Sequence, residues 1–191
     1  MYISQIITEY SVLNDIYDLH QRLWRGFSDP GESRDFLFRA ERRPRKQAFI
    51  LVQSLSPPHW DEVFSPSQFM VKGYDPVFRA GQRFYFHIQV SASVAKANGP
   101  GKQPTRKPLP WSHYEKWFSE QGGKRGFETL TVSRLGEVFV SSHKKKRFSI
   151  AGQTLDGTLQ VTDPELFLST YQGGIGRSKA FGFGMLSLKR M

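Results

Sequence analysis

The sequence predicts an α+β fold of two βαββαβ units in tandem, on three observations. Strand-like and helix-like runs over residues 1–80 follow the order β-α-β-β-(α)-β. A comparable order recurs over residues 81–191, interrupted by one stretch rich in Gly, Pro and Lys. Turn-forming clusters, Asp29-Pro30-Gly31, Arg79-Ala80-Gly81 and Gly173-Gly174, fall between the runs. This order is the ferredoxin-like, or RRM-like, split βαβ arrangement. The halves share no obvious sequence, so the duplication rests on element order, with expected units 1–80 and 81–191.

In the first unit, Ile3, Ile6 and Tyr10 sit in a β-prone opening run. Leu13 to Phe27 turns helical, because Ile16, Leu19, Leu23 and Phe27 recur at i, i+3, i+7 and i+11. Asn14 or Asp15 is the expected N-cap, and Gly26 with the following Asp-Pro-Gly turn ends the helix. Asp35–Glu41 and Gln47–Ser54 form a hairpin around Arg42-Arg43-Pro44-Arg45. Pro57-Pro58-His59-Trp60 opens a short helix or turn, and Phe69–Phe78 returns as a strand.

In the second unit, Arg83 to Ala95 reads as one strand. Ala97 to Pro110 reads as a linker, too polar and broken for packed structure. Trp111–Gln121 is a helix with Ser112 as cap and Tyr114, Trp117 and Phe118 on one side. Phe127–Leu135, Glu137–Ser142 and Phe148–Val161 supply strands. Asp163-Pro164-Glu165 starts a helix with a cap, Pro at N1 and an acid in the first turn. That helix stops at Gly173-Gly174, and Phe183–Leu188 closes the unit as a strand.

Composition narrows the partner. The 191 residues carry 27 Lys and Arg against 17 Asp and Glu, a formal net charge of +10. Such an excess suits a polyanion, since each neutralised phosphate releases counterions; a basic but otherwise ordinary enzyme would show the same charge. Aromatics, 14% of the chain, supply core and also flat faces for unpaired bases. The absence of cysteine excludes disulfides, thiolate zinc sites and cysteine nucleophiles and fits a reducing cytoplasm. No apolar run approaches the ~18 residues that span a bilayer, so no membrane partner is expected. Met1–Tyr10 lacks the basic start of a signal peptide.

Three places can carry chemistry. On the first helix, Ile16, Leu19, Leu23 and Phe27 define the buried stripe, while Asp18, Arg22 and Arg25 face water. Tyr17, His20 and Trp24 line the border, where an imidazole stays packed yet offers a nitrogen to a cleft. An ordinary histidine pKa of ~6.5 suits proton transfer near neutrality, and Tyr17, one turn earlier, can position the same phosphate. A boundary histidine satisfied by a backbone carbonyl has the same spacing. The second place is the glycine-rich tail, where Gly174, Gly176 and Gly182 let backbone N–H groups approach a phosphate, with Arg177, Ser178 and Lys179 beside them. It follows a helix and leads into a strand, the reverse of a Rossmann turn, and a loose connection would look alike. The third is His143-Lys144-Lys145-Lys146-Arg147 between two strands, either an RNA-contacting finger or a solvated turn.

Other chemistries lack their residues. Asp15 and Asp18, the close acidic pair near His20, read as first-turn helix residues. No paired carboxylates, His-x-x-x-His or Asp-x-Asp suggest a two-metal nuclease, so neither metal nor cofactor is expected. His59, His87, His113 and His143 are isolated and read as structural or surface residues, and no serine sits in a Gly-x-Ser-x-Gly elbow.

Met1–Tyr10, Tyr17–Trp24, Arg34–Arg39 and Leu51–Ser54 resemble the N-terminal half of the CasE family of CRISPR repeat-processing endoribonucleases. Gly174–Leu188 resembles the family's C-terminal glycine-rich signature; Pro57 to Thr162 matches only in general character. The resemblance implies two ferredoxin-like domains and a role in CRISPR immunity. Family members bind stem-loop repeats of a precursor transcript, cut once per repeat, retain the product and join the type I-E Cascade complex. The family's catalytic histidine carries over onto His20 and its helper tyrosine onto Tyr17. The basic run, Lys144 to Arg147, is placed like the family's RNA-contacting hairpin. The implied reaction is metal-independent attack by the RNA's own 2′-OH. The rival reading is a non-catalytic RNA-binding subunit on the same fold; loss of Tyr17 or His20 would have favoured it, and both are present.

Overall fold

The structure, a computed structural model, describes residues 1–27, 35–96, 99, 103, 105–143 and 147–191. The first unit begins with strand β1 (Tyr2–Glu9) and a 3-10 turn (Tyr10–Leu13). Helix α1 spans Ile16–Trp24, shorter at both ends than the periodicity predicts. Asp15 sets its start: the β-region backbone at Asp15 cannot continue the preceding turn, and its carboxylate caps the first helical N–H groups. Ile16, Leu19 and Leu23 are buried as their spacing requires, each such side chain contributing about 1.5–3 kcal/mol.

Strands β2 (Phe36–Arg43) and β3 (Gln47–Ser54) form the expected hairpin, closed by left-handed φ at Arg45 and Lys46. Two 3-10 turns (Trp60–Glu62 and Pro66–Gln68) stand where the unit's second helix would be, with Trp60 buried under α1. Strand β4 is Phe69–Gly73. It ends five residues short of the predicted Phe78, and the Tyr74 N–H, donating to the Met1 carbonyl at 3.0 Å, makes the last contact in register with β1.

In the second unit the predicted strand Arg83–Ala95 divides. Strand β5 is Arg83–Val90, and β6 (Ser93–Lys96) leaves to pair with β7 (Thr105–Pro108) in a separate two-stranded sheet. The break falls at Ser91, whose carbonyl accepts from the Arg177 N–H at 3.0 Å instead of continuing the ladder. The stretch expected to be an unpacked linker therefore contains a strand, anchored by buried Leu109.

Helix α2 (Tyr114–Gly123) follows a 3-10 turn at Trp111–His113, and the Ser112 hydroxyl meets His113 rather than capping the helix. The two strands predicted between Phe127 and Ser142 are one, β8 (Phe127–Ser142). Register shifts between Thr129 and Thr131 and between Arg134 and Gly136 absorb extra residues as bulges, so the ladder continues through the glycine. Strand β9 (Phe148–Val161), helix α3 (Pro164–Gly173) and strand β10 (Leu186–Arg190) complete the unit. A 3-10 turn at Lys179–Phe181 delays β10 past the predicted Phe183.

One sheet runs β2-β3-β1-β4 and the other β10-β5-β9-β8, all pairs antiparallel. In each, the unit's first and third strands are central, the second lies outside the third, and the fourth outside the first. That is the split βαβ order twice over, as the element order predicts. Each sheet has its own apolar cluster, one under α1 and one under α2 and α3. Polar contacts join the halves: Gln53 Nε2 donates to the Tyr171 carbonyl (2.8 Å), the Tyr74 and Tyr171 hydroxyls are hydrogen-bonded (2.8 Å), and Arg39 Nη1 reaches Ser187 Oγ (2.6 Å). Among the described residues no helix is long and apolar enough to cross a membrane.

Candidate active site and nucleic-acid interface

The site starts from the cap of α1. Asp15 Oδ1 accepts from the Tyr17 N–H at 3.0 Å and the Asp18 N–H at 3.2 Å, fixing the first turn. With that turn fixed, the helical period brings Tyr17, His20, Gln21, Trp24 and Arg25 around one concavity of ≈ 440 Å³. The Tyr17 hydroxyl accepts from Gln21 Nε2 at 3.3 Å. Arg25 is exposed and is the cation in this lining. Sequence reasoning assigned Arg25 only to the solvent face and overlooked Gln21, although the i, i+4, i+8 spacing from Tyr17 marks both.

His20 is held in an aromatic frame. Trp24 meets its ring edge-on at 5.6 Å, Phe36 stacks at 6.0 Å and Phe181 stands edge-on at 6.1 Å. The Nδ1 side of the ring is buried. Three rings from three elements fix the imidazole plane, which suits a group that must meet a substrate atom in one orientation.

Phe181 belongs to the glycine-rich tail, and it touches Phe148, the first residue of β9, with centroids 4.7 Å apart. The tail is built by its own pairing: the Ile175 N–H donates to the Gly184 carbonyl (2.9 Å), and the Gly184 N–H to Gln89 on β5 (2.7 Å). A Cβ at Gly174 would lie 2.7 Å from the Gly184 carbonyl oxygen, and one at Gly184 2.6 Å from that of Ile175, with positive φ at both. These glycines thus have a reason within the protein itself. Gly176 and Gly182 also have positive φ; Gly176 lies against Ser91, and Gly182 is buried against Phe38. Ser178 adopts the left-handed conformation, Lys179 Nζ donates to the Gly173 carbonyl at 2.6 Å, and Arg177 is exposed.

Of the basic run, Lys144, Lys145 and Lys146 lie outside the described residues. Its flanks are described: Ser142 is buried, His143 and Arg147 are exposed, and Ser142 pairs with Phe148 as the last rung of β8 and β9. Asp15 reaches this rung, its Oδ2 accepting from Ser142 Oγ (3.2 Å) and the His143 N–H (2.8 Å). Read from sequence as a first-turn residue, Asp15 is also a long-range tether. His87, read as isolated, has its Nδ1 2.5 Å from Asp156 Oδ1 on the neighbouring strand. Among the described residues no three His, Asp or Glu side chains form a metal-binding group.

A family model described as "CRISPR associated protein" matches residues 1–190. The chain belongs to this family. Among its CRISPR-associated relatives, the endoribonuclease Cse3 of Thermus thermophilus is 30% identical over 189 residues, covering 90% of this chain and 89% of that one. The Cascade subunit CasE of Escherichia coli K12 is 26% identical, covering 98% of both chains. The fold agrees with CRISPR-associated structures across its length. Cse3 bound to a 19 nt RNA superposes with a TM-score of 0.83 at 25% identity, over 99% of this chain and 100% of that one. Thermus thermophilus Cse3 bound to an RNA representing a pre-cleavage complex gives 0.81 at 25% identity, over 98% of each. A chain of a CRISPR RNA-guided surveillance complex gives 0.76 at 25% identity, over 100% of each.

Proposed function

We propose that this chain is an endoribonuclease that recognises the stem-loop of a repeat in precursor CRISPR RNA, cuts once per repeat and retains the product. It works in the cytoplasm as a subunit beside the other Cascade proteins. Residues 1–80 form the unit that carries the catalytic helix, and residues 81–191 the unit that carries the basic hairpin and the glycine-rich loop. One observation carries the reading: Tyr17, His20 and Arg25 line a single concavity, framed by a ring from the glycine-rich tail. Relatives named as a CRISPR endoribonuclease and a Cascade subunit support it.

The substrate's 2′-OH is the nucleophile, held in line with the adjacent phosphorus. The 2′-oxygen forms a bond to phosphorus, the bond to the 5′ oxygen breaks, and the products are a 2′,3′-cyclic phosphate and a 5′-hydroxyl. One proton leaves the 2′-oxygen and one reaches the 5′-oxygen. His20 handles one of these transfers, as general base or general acid, through the ring nitrogen opposite its buried Nδ1. Tyr17 positions the phosphate, and the Arg25 guanidinium stabilises the charge that builds on the phosphorane. Lys144, Lys145, Lys146 and Arg147 hold the stem's phosphates together with Arg177, Ser178 and Lys179. Gly174, Gly176 and Gly182 shape the loop that presents the latter three.

Incubation with the cognate repeat transcript in excess EDTA, followed by end-group analysis, tests the reading. The expected result is one cut per repeat, a cyclic phosphate and a 5′-hydroxyl, at the rate seen without chelator. A single 2′-deoxy sugar at the scissile position should leave binding nearly unchanged, since one lost hydrogen bond costs ~0.5–1.5 kcal/mol, and should abolish cutting. Cleavage of the deoxy substrate, or 5′-phosphate products, would overturn the mechanism.

A further inference from the structure

Asp15 has more partners than a helix cap needs. Serine or asparagine caps a helix about as well as aspartate, through one side-chain oxygen. Here Oδ1 serves the cap, bound by the N–H groups of Tyr17 and Asp18. Oδ2 points away from the helix and accepts from Ser142 Oγ and the His143 N–H at the end of β8. Asp15 is only 6% exposed and Ser142 only 1%, so these bonds are shielded from competing water. A second link runs parallel to the first: Phe148, paired with Ser142, packs on Phe181, which meets the His20 ring. The end of the β8–β9 pair thus grips α1 at its first turn and, through two rings, at its histidine.

We propose that Asp15 is a positioning residue that holds α1 in register with the β8–β9 end, so that RNA seated on that end meets Tyr17 and His20 in reacting geometry. The proposal rests on the endoribonuclease reading above. Asp15 touches no reacting atom; it acts through the backbone N–H groups that orient Tyr17 and through the strand end that flanks the RNA. Near-attack geometry tolerates little error, and a displacement of about 1 Å costs on the order of 10²-fold in rate.

The test compares Asp15→Ser, which keeps a capping oxygen and loses the tether, with Ser142→Ala, which leaves the cap untouched. Kd for the repeat stem-loop and the single-turnover cleavage rate at saturating RNA are measured well below each variant's melting temperature. Asp15→Ser should bind within about threefold of wild type and cut roughly 10- to 100-fold more slowly, the pattern of a lost transition-state alignment. Ser142→Ala should show a smaller loss of the same kind, and Ser142→Thr, which keeps the hydroxyl, should restore the rate. Lower melting temperatures with an unchanged saturated rate would make Asp15 a cap only and overturn the proposal. If Asp15→Ser does not fold, the Ser142 pair decides alone. A wild-type chain that binds the repeat and never cuts it would sink the endoribonuclease reading instead, a distinct outcome.

Discussion

The ring of Phe181 stands edge-on to that of His20, with 6.1 Å between centroids and 67° between planes, although the two residues lie near opposite ends of the chain. The same ring packs on Phe148 at 4.7 Å, so one side chain bridges the tail, the strand after the basic run and helix α1. Phe181→Ala removes one of three rings that orient the imidazole. The saturated cleavage rate should fall about 10-fold while stem-loop affinity changes little, read by single-turnover kinetics below the variant's melting point. An unchanged rate would show that Trp24 and Phe36 orient the ring without it.

His20→Ala should lower cleavage by at least roughly 10²–10⁴-fold and spare binding, because proton transfer belongs to the transition state. A substrate with sulfur in place of the leaving 5′ oxygen needs no proton at that atom. Rescue of the variant by this substrate assigns His20 as the acid, and its failure assigns the base. Equal loss of cutting and binding would mark the histidine as structural.

Neutralising Lys144, Lys145, Lys146 and Arg147 together should weaken RNA binding and flatten its dependence on salt. The slope of log K against log salt should fall by roughly one for each phosphate that the variant no longer neutralises. Titrations across a range of ionic strength measure it. The same slope before and after would leave the run as a solvated turn.

The Tyr74–Tyr171 pair predicts an alkaline limit. Burial is the first cause for both hydroxyls, pushing each above the usual tyrosine range, and for Tyr74 the bond to Tyr171 adds to it. The unfolded chain therefore releases these protons first, near the ordinary pKa of about 10. The stability contributed by the neutral pair is fully present below that pH and is lost as pH rises beyond it. Urea unfolding midpoints between about pH 9 and about pH 11 should drop in the wild type. The doubly substituted Tyr74→Phe, Tyr171→Phe chain should drop less steeply, and parallel curves for the two proteins would refute the assignment.

Spacing alone determined much of this protein. The helical period set Ile16, Leu19 and Leu23 inward and left Tyr17 and His20 on one border, because residues three and four apart share a helix face wherever the helix is placed. Element order determined both sheets, since a hairpin in the middle of a split βαβ leaves few ways to pair four strands. The tertiary structure decided what no local window contains. It broke the Arg83–Ala95 run at Ser91 through a bond to Arg177, and it paired part of the polar stretch after Ala97 as β7. It also carried β8 through Gly136 on a bulge. Around His20 it supplied Phe181, and it gave Asp15 a second partner at Ser142. A ring's or a carboxylate's long-range partner depends on how two independently formed layers pack. That choice is made by shape and by the need to satisfy buried polar groups, and no sequence period records either.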